Sequence, residues 1–215
     1  MSAVTIFTSG STQEPKNISH SWNDMEKHID RAIKEIGLTT KDKVLDVFPG
    51  NTIAHYTVTA MPSMKAGCEL FTASFDAYSY IKLFNLIRPS YIALIPRHID
   101  ILQKTKDWDN FDMSCVRYMV VGSQRVNQSL IDSLNVRGVK TVANWYGMTE
   151  MPPPVLVGYN SESFDFSSQP GYTVEFADDG ECVINGYYTG DIFDVITRKF
   201  LKRKSESNGS TWKTI

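Results

Sequence analysis

The chain has 215 residues, 42% of them hydrophobic, with 22 basic against 24 acidic side chains and a net charge of −2. That length suits one or two domains with a real core, and the charge balance argues against a general nucleic-acid or membrane-surface binder. Three cysteines (Cys68, Cys115, Cys182) and four histidines (His20, His28, His55, His98) are scattered without metal-ligand spacing. They read as reduced thiols in a cytoplasmic protein with no zinc site. No basic segment followed by a long apolar one opens the chain. Apolar runs such as YIALIP are too short to span a bilayer.

In chain order, AVTIF predicts a strand. Trp22, Met25, Ile29, Ile33 and Ile36 recur at helical steps and predict an amphipathic helix ending at Gly37. Val44 to Phe48 predicts a strand stopped by Pro49-Gly50. Ile53 to Lys65 predicts a helix broken near Pro62. Then come a strand over 70–73, a helix over 78–87, a buried strand over 91–95 and a short helix over 99–104. A strand over 116–121, a helix over 128–134 and a strand over 139–144 complete the alternation. Such alternation predicts an α/β fold, a mostly parallel sheet with helices on both faces.

After Pro152-Pro153-Pro154 the helical period stops. TVEFADDGECVIN predicts a hairpin turning at Asp179-Gly180, and Phe193 to Leu201 a further strand pair. The expected organisation is an α/β part over 1–160, a small β-rich part over 161–200 and a short stub over 201–215. The basic cluster Arg198, Lys199, Lys202, Arg203 and Lys204 reads as a solvated hairpin face.

Open α/β sheets bind ligands beyond the carboxyl ends of their strands. Four polar, glycine-bearing segments are expected there: TSGSTQEPK (8–16), Pro49-Gly50-Asn51 with His55 beyond it, Gly122-Ser123-Gln124, and the run from Asn144 to Glu150. The first has the hydroxyls, the glycine and the lysine of a phosphate-holding loop. Its spacing is not that of a Walker A loop, since Pro15-Lys16-Asn17 stands where Gly-Lys-Ser/Thr is needed. From these residues alone a polar turn is the leading reading and a phosphate role the lesser one.

Three motifs in order change the balance: TSGSTQEPK, Tyr146-Gly147-Met148-Thr149-Glu150 and Thr189-Gly190-Asp191. Together they resemble the adenylate-forming superfamily of acyl-CoA synthetases, luciferases and peptide-synthetase adenylation domains. The resemblance runs from about residue 5 to about residue 205 and implies the large N-terminal domain of those enzymes. It implies that MgATP and a carboxylic acid give an acyl-adenylate and pyrophosphate. Thr8, Ser9, Gly10, Ser11, Thr12 and Lys16 would hold phosphates. Thr149 would contact phosphate, and Glu150 would ligate Mg2+. Asp191 would hold the ribose hydroxyls. Gly122, Ser123 and Gln124 would flank adenine on one side, and Asn144, Trp145, Tyr146 and Gly147 on the other. Arg203 resembles the hinge arginine. His55, Val121, Trp145 and Met148 would line the acyl pocket and suggest an apolar or aromatic acid.

The sequence departs from the family at Gln13, where the phosphate loop has glycine, and at Lys202 and Glu206 around the hinge. The family's segment ahead of the phosphate loop, and its lysine-bearing domain after the hinge, have no counterpart in these residues. The expectations that follow are a minimal or partner-completed enzyme, impaired alone, or a nucleotide-binding module without turnover. A homodimer or a completing partner protein is expected to cover the exposed face.

Overall fold

A computed structural model describes residues 3–8 and 16–204 of the chain. Its centre is a six-stranded sheet in the order β4-β3-β5-β6-β7-β8. These strands are β3 (Lys43–Asp46), β4 (Glu69–Thr72), β5 (Tyr91–Leu94), β6 (Tyr118–Gly122), β7 (Val142–Tyr146) and β8 (Leu156–Tyr159). The first five are parallel, and β8 runs antiparallel to β7. Period-two alternation sorts their side chains. Leu45, Ile92, Leu94, Met119, Val121 and Val142 enter one core with α4 (Ala77–Ile87), α5 (Pro96–Leu102) and α6 (Gln128–Val136). Val44, Tyr91, Ala93, Val120, Ala143 and Trp145 enter the other, with α1 (Trp22–Ile36) and α2 (Ile53–Thr57). Helices thus cover both faces, as strand-helix alternation predicts.

Helix α1 forms where the periodicity places it. Ser21 caps it by accepting from the Asp24 amide, and Gly37 ends it in the left-handed conformation. Met25, Ile29, Ala32 and Ile36 are buried, whereas Trp22 is exposed. The expected break near Pro62 falls earlier. The chain leaves α2 at Val58-Thr59 and restarts as α3 (Ala60–Ala66). Pro62 sits in the first turn of α3, where its missing N–H breaks no helical bond.

Strand β1 (Ala3–Thr8) is not part of the large sheet. It pairs antiparallel with β2 (Lys16–Ser21), in register from Ala3↔Ser21 to Thr8↔Lys16. Ala3 and Thr5 are exposed and Ile6 is buried, so this strand lacks the two-sided burial of a central parallel strand. The expectation that four loops follow strands of one sheet is corrected to three. The remaining loop joins the two strands of this separate hairpin.

A four-stranded antiparallel sheet, in the order β12-β11-β10-β9, holds β9 (Val174–Phe176), β10 (Glu181–Ile184), β11 (Tyr187–Asp194) and β12 (Lys199–Arg203). Gly180, at φ 83°, makes the β9–β10 turn where Asp179-Gly180 predicts it. Phe164, Cys182, Ile184 and Phe193 pack this sheet against Tyr146 and Leu156 of the large one. That contact brings β11 beside the end of β7. Among the described residues no helix is long and apolar enough to cross a membrane.

Candidate functional site

The carboxyl ends of β6 and β7 and the facing surface of β11 and β12 enclose a cavity of about 470 Å3. Ser123 and Gln124 stand on one side, Asn144 to Gly147 on another, and Asp191 and Arg203 across from them. Backbone geometry narrows the β6 end. Gly122 lies so close to β7 that a Cβ there would be 2.5 Å from the Trp145 carbonyl oxygen. Ser123 follows at φ 65°, turning the chain sharply out of the strand. The Gln124 side-chain oxygen accepts from the Arg97 amide at 3.1 Å. Gly147 is equally confined, a Cβ there falling 2.7 Å from Pro153 Cα.

Asp191 is the electrostatic centre of this cavity. It is 3% exposed. Arg203 donates from Nε to Oδ1 at 2.7 Å and from Nη2 to Oδ2 at 3.2 Å. The Tyr146 hydroxyl donates to Oδ2 at 2.9 Å. Burial, then the neighbouring Asp191 charge, raises the Tyr146 phenol well above its ordinary value, so it stays a donor. The Asp191 bond raises Arg203, with further support from the charge of Glu150. A carboxylate offers about four acceptor positions, and three are taken here. One remains on Oδ1. Holding two ribose hydroxyls together would require a donor to yield. Arg203, 44% exposed in its side chain, is better placed to yield than the buried Tyr146.

The basic cluster is not simply a solvated face. Lys199 donates to Glu162 at 2.5 Å, and Lys204 bridges Asp179 and Glu181 at 2.8 and 2.6 Å. Arg203–Asp191 joins β12 to β11, and Lys199–Glu162 ties β12 to the segment after β8, both on the cavity wall. Sequence reading missed Glu162, Lys199 and Phe164 as cavity residues, because no motif marks them.

After β7 the chain bends through Met148 to Met151, whose backbones bond each other reciprocally at 2.9 and 3.1 Å. Thr149 and Glu150 are half-buried in this bend. His20 of β2 donates from Nε2 to the Thr149 carbonyl at 2.7 Å, so the β1–β2 hairpin reaches the site through this bend. Thr8 and Lys16 pair at the loop end of that hairpin. Ser9, Gly10, Ser11, Thr12 and Gln13 lie outside the described residues.

The acyl-pocket expectations divide. A second cavity of about 30 Å3 adjoins the first, sharing Ser123, Trp145 and Gly147 with it. Its wall includes Phe48 and Val120 but not His55, Val121 or Met148. Val121 is corrected to the opposite core, because alternate residues of β6 face opposite sides of the sheet. Met148 is held in the bend after β7. His55 donates from Nδ1 to Asp46 Oδ2 at 2.9 Å, and Asp46 is 1% exposed. Asp46 Oδ1 also accepts from Thr59 at 2.6 Å and from the Phe48 amide at 3.1 Å. A lone aspartate inside the apolar run VLDVF was the available signal for this partner.

Among the described residues, no group of three or more His, Cys, Asp or Glu side chains could hold a metal ion alone. Magnesium commonly takes one or two carboxylates together with substrate phosphates. The half-buried Glu150 fits that pattern.

These features define a nucleotide-sized cleft at the carboxyl edge of a mostly parallel sheet, closed by a small antiparallel one. The family model for AMP-binding enzymes matches residues 1–179, and the chain belongs to that adenylate-forming family. Indoleacetate–CoA ligase of Aromatoleum aromaticum is 26% identical over 151 residues, 70% of this chain and 29% of that protein. 4-Coumarate–CoA ligase 3 of Arabidopsis thaliana is 26% identical over 174 residues, 78% of this chain and 30% of that protein. The chain thus spans under a third of the length of these curated relatives. The N-terminal domain of Mycobacterium tuberculosis FACL13 superposes with a TM-score of 0.79 at 20% identity, covering 93% of this chain and 60% of that one. Bacillus subtilis O-succinylbenzoate CoA synthetase, solved with ATP and magnesium ion, gives 0.78 at 18% identity, covering 96% and 51%.

Proposed function

We propose that this chain holds ATP with magnesium and activates a carboxylic acid as its acyl-adenylate. In that reaction a carboxylate oxygen bonds to the α-phosphorus. The bond from that phosphorus to the bridging oxygen breaks, and its electron pair leaves with pyrophosphate. Catalysis of this kind is mostly positioning and charge stabilisation. Asp191 would accept from the ribose, and Ser123, Gln124 and Asn144 to Gly147 would flank adenine. Lys16, Thr149 and the hydroxyls of residues 8–12 would hold the phosphates. Glu150 would hold Mg2+, which supplies charge neutralisation at the phosphates when bound.

The observation that carries this reading is the buried Asp191 carboxylate, held by Arg203 and Tyr146 on the wall of a 470 Å3 cavity. That volume lies in the range of about 300–1,000 Å3 usual for small-molecule sites. The relatives support a carboxylic acid as co-substrate, since the two named above are CoA ligases of indoleacetate and 4-coumarate.

Exchange of labelled pyrophosphate into ATP, screened over carboxylic acids, tests the reading. Acid-dependent exchange that falls in Glu150→Gln is the expected result. A second reading, nucleotide binding without turnover, draws on Gln13. A residue other than glycine costs about 1–2 kcal/mol where a loop needs positive φ. Nucleotide binding with no exchange for any acid would favour it.

A further inference from the structure

We propose that His20 and Tyr172 are positioning residues for the bend after β7, two side-chain donors that hold Thr149 and Glu150 at the phosphates and Mg2+. This rests on the adenylate-forming reading and deepens it. The Met151 amide donates to the Met148 carbonyl at 3.1 Å, and the Met148 amide to the Met151 carbonyl at 2.9 Å. Thr149 and Glu150 lie between these two bonds. The bonds fix the shape of the bend but not its tilt toward the cleft. Two further carbonyls do that. The Thr149 carbonyl accepts from His20 Nε2 at 2.7 Å, and the Pro152 carbonyl accepts from the Tyr172 hydroxyl at 2.6 Å. Glu150 falls between them in the chain.

Both donors are fixed by one face of α1. His28 and Arg31, three positions apart, are neighbours on that helix. The His28 ring stands edge-on to His20, with centroids 6.2 Å apart, and stacks on Tyr172 at 6.1 Å. Arg31 lies over the Tyr172 ring at 4.4 Å. It donates to His28 Nδ1 and to the Pro170 carbonyl, each at 2.8 Å. Gly171, at φ 91°, leaves room for the guanidinium, since a Cβ there would fall 2.9 Å from it. Tyr172 is 9% exposed, and burial pushes its phenol up to about 12, so it stays a donor. Neither His20 nor Tyr172 lines the 470 Å3 cavity, so each acts through the bend. A misplacement of about 1 Å at a reacting group can cost about a hundredfold in rate. Partners standing behind a metal ligand are worth about 10–100-fold in metal affinity or activity.

Calorimetry of MgATP, and of AMP without metal, tests the assignment on wild type, Tyr172→Phe, His20→Ala and His20→Gln. Tyr172→Phe and His20→Ala are each expected to bind MgATP about tenfold more weakly than wild type while binding AMP as tightly. His20→Gln, whose amide can still donate, should recover part of the loss. Equal losses for AMP and MgATP would reduce both residues to a structural role, and no loss for either would remove the clamp. Each of those results overturns the proposal. A glutamine variant no better than the alanine one would overturn the donor role of His20. If one variant fails to fold by circular dichroism, the other carries the test. If wild type binds neither nucleotide, the adenylate-forming reading itself falls, and the clamp with it.

Discussion

His20 and Thr149 are 129 positions apart, yet the His20 ring donates a 2.7 Å hydrogen bond to the Thr149 backbone carbonyl. Because a carbonyl only accepts, Nε2 must carry the proton. The bond links the hairpin that bears the phosphate-loop motif to the bend that bears Thr149 and Glu150. Removing it in His20→Ala is expected to lower stability by about 1 kcal/mol, the net worth of one such bond. Urea unfolding measures this. An unchanged midpoint would mean that the hairpin is held by other contacts.

A second network holds the opposite end of the sheet. Arg117 donates to Asp42 at 2.7 and 2.8 Å, and to the carbonyls of Ile36 and Gly37 at 2.8 and 3.0 Å. Ser90 adds a bond to Asp42 at 2.7 Å. One carboxylate thus joins the end of α1 to the starts of β3, β5 and β6. Asp42→Asn should cost about 3 kcal/mol, since the half-buried Arg117 is left without its charge partner.

The same group sets an acid response. Burial alone would raise the Asp42 pKa, but the bonds from Arg117, Ser90 and Thr39 outweigh it and hold Asp42 at about 2. A depressed folded pKa gives stability that is present above the unfolded value of about 4 and is lost as pH falls through the folded one. The stability gap between wild type and Asp42→Asn should therefore be full at pH 5 and shrink toward pH 2. A gap independent of pH would contradict the assignment.

Two histidines act in a higher window. Burial pushes His98 down to about 4, where it stacks on Phe75 at 3.9 Å. Burial, then the Arg31 and His20 charges, does the same to His28. Unfolded histidine titrates near 6.5, so from about 6.5 down to 4 the unfolded chain binds more protons and stability falls with pH. The buried Nδ1 of His98 has no hydrogen-bond partner among the described residues. His98→Phe should keep the stack and reduce the pH dependence between 6.5 and 4, leaving the share due to His28, read from urea midpoints. A curve as steep as that of wild type would place the titration elsewhere.

Much of this architecture was legible in the sequence where burial imposes a period. Strands such as YIAL, buried on both faces, stand out as apolar runs, and α1 stands out by its spacing and caps. Strand β2, KNISHS, was invisible because its polar residues lie on an exposed hairpin. Strand β8, LVGY, follows three prolines and carries Gly158. A Cβ there would meet the Ser163 carbonyl at 2.3 Å, a close approach that sequence alone does not announce. Asp191 and Tyr146 were legible as motif residues, but their direct bond was not, because it joins two sheets. Val120 and Val121 show the limit of periodicity, which sorts neighbours onto opposite faces without saying which face holds the ligand.

The central claim is that Asp191 anchors a nucleotide in the 470 Å3 cavity. Calorimetry of ATP and AMP with Mg2+, on wild type and Asp191→Ala, tests it most directly, with circular dichroism confirming that the variant folds. The account predicts binding by wild type and a loss of ten- to a hundredfold in the variant, about 1.5–3 kcal/mol for charge-assisted hydrogen bonds. Equal binding by both proteins, or none by wild type, would contradict it.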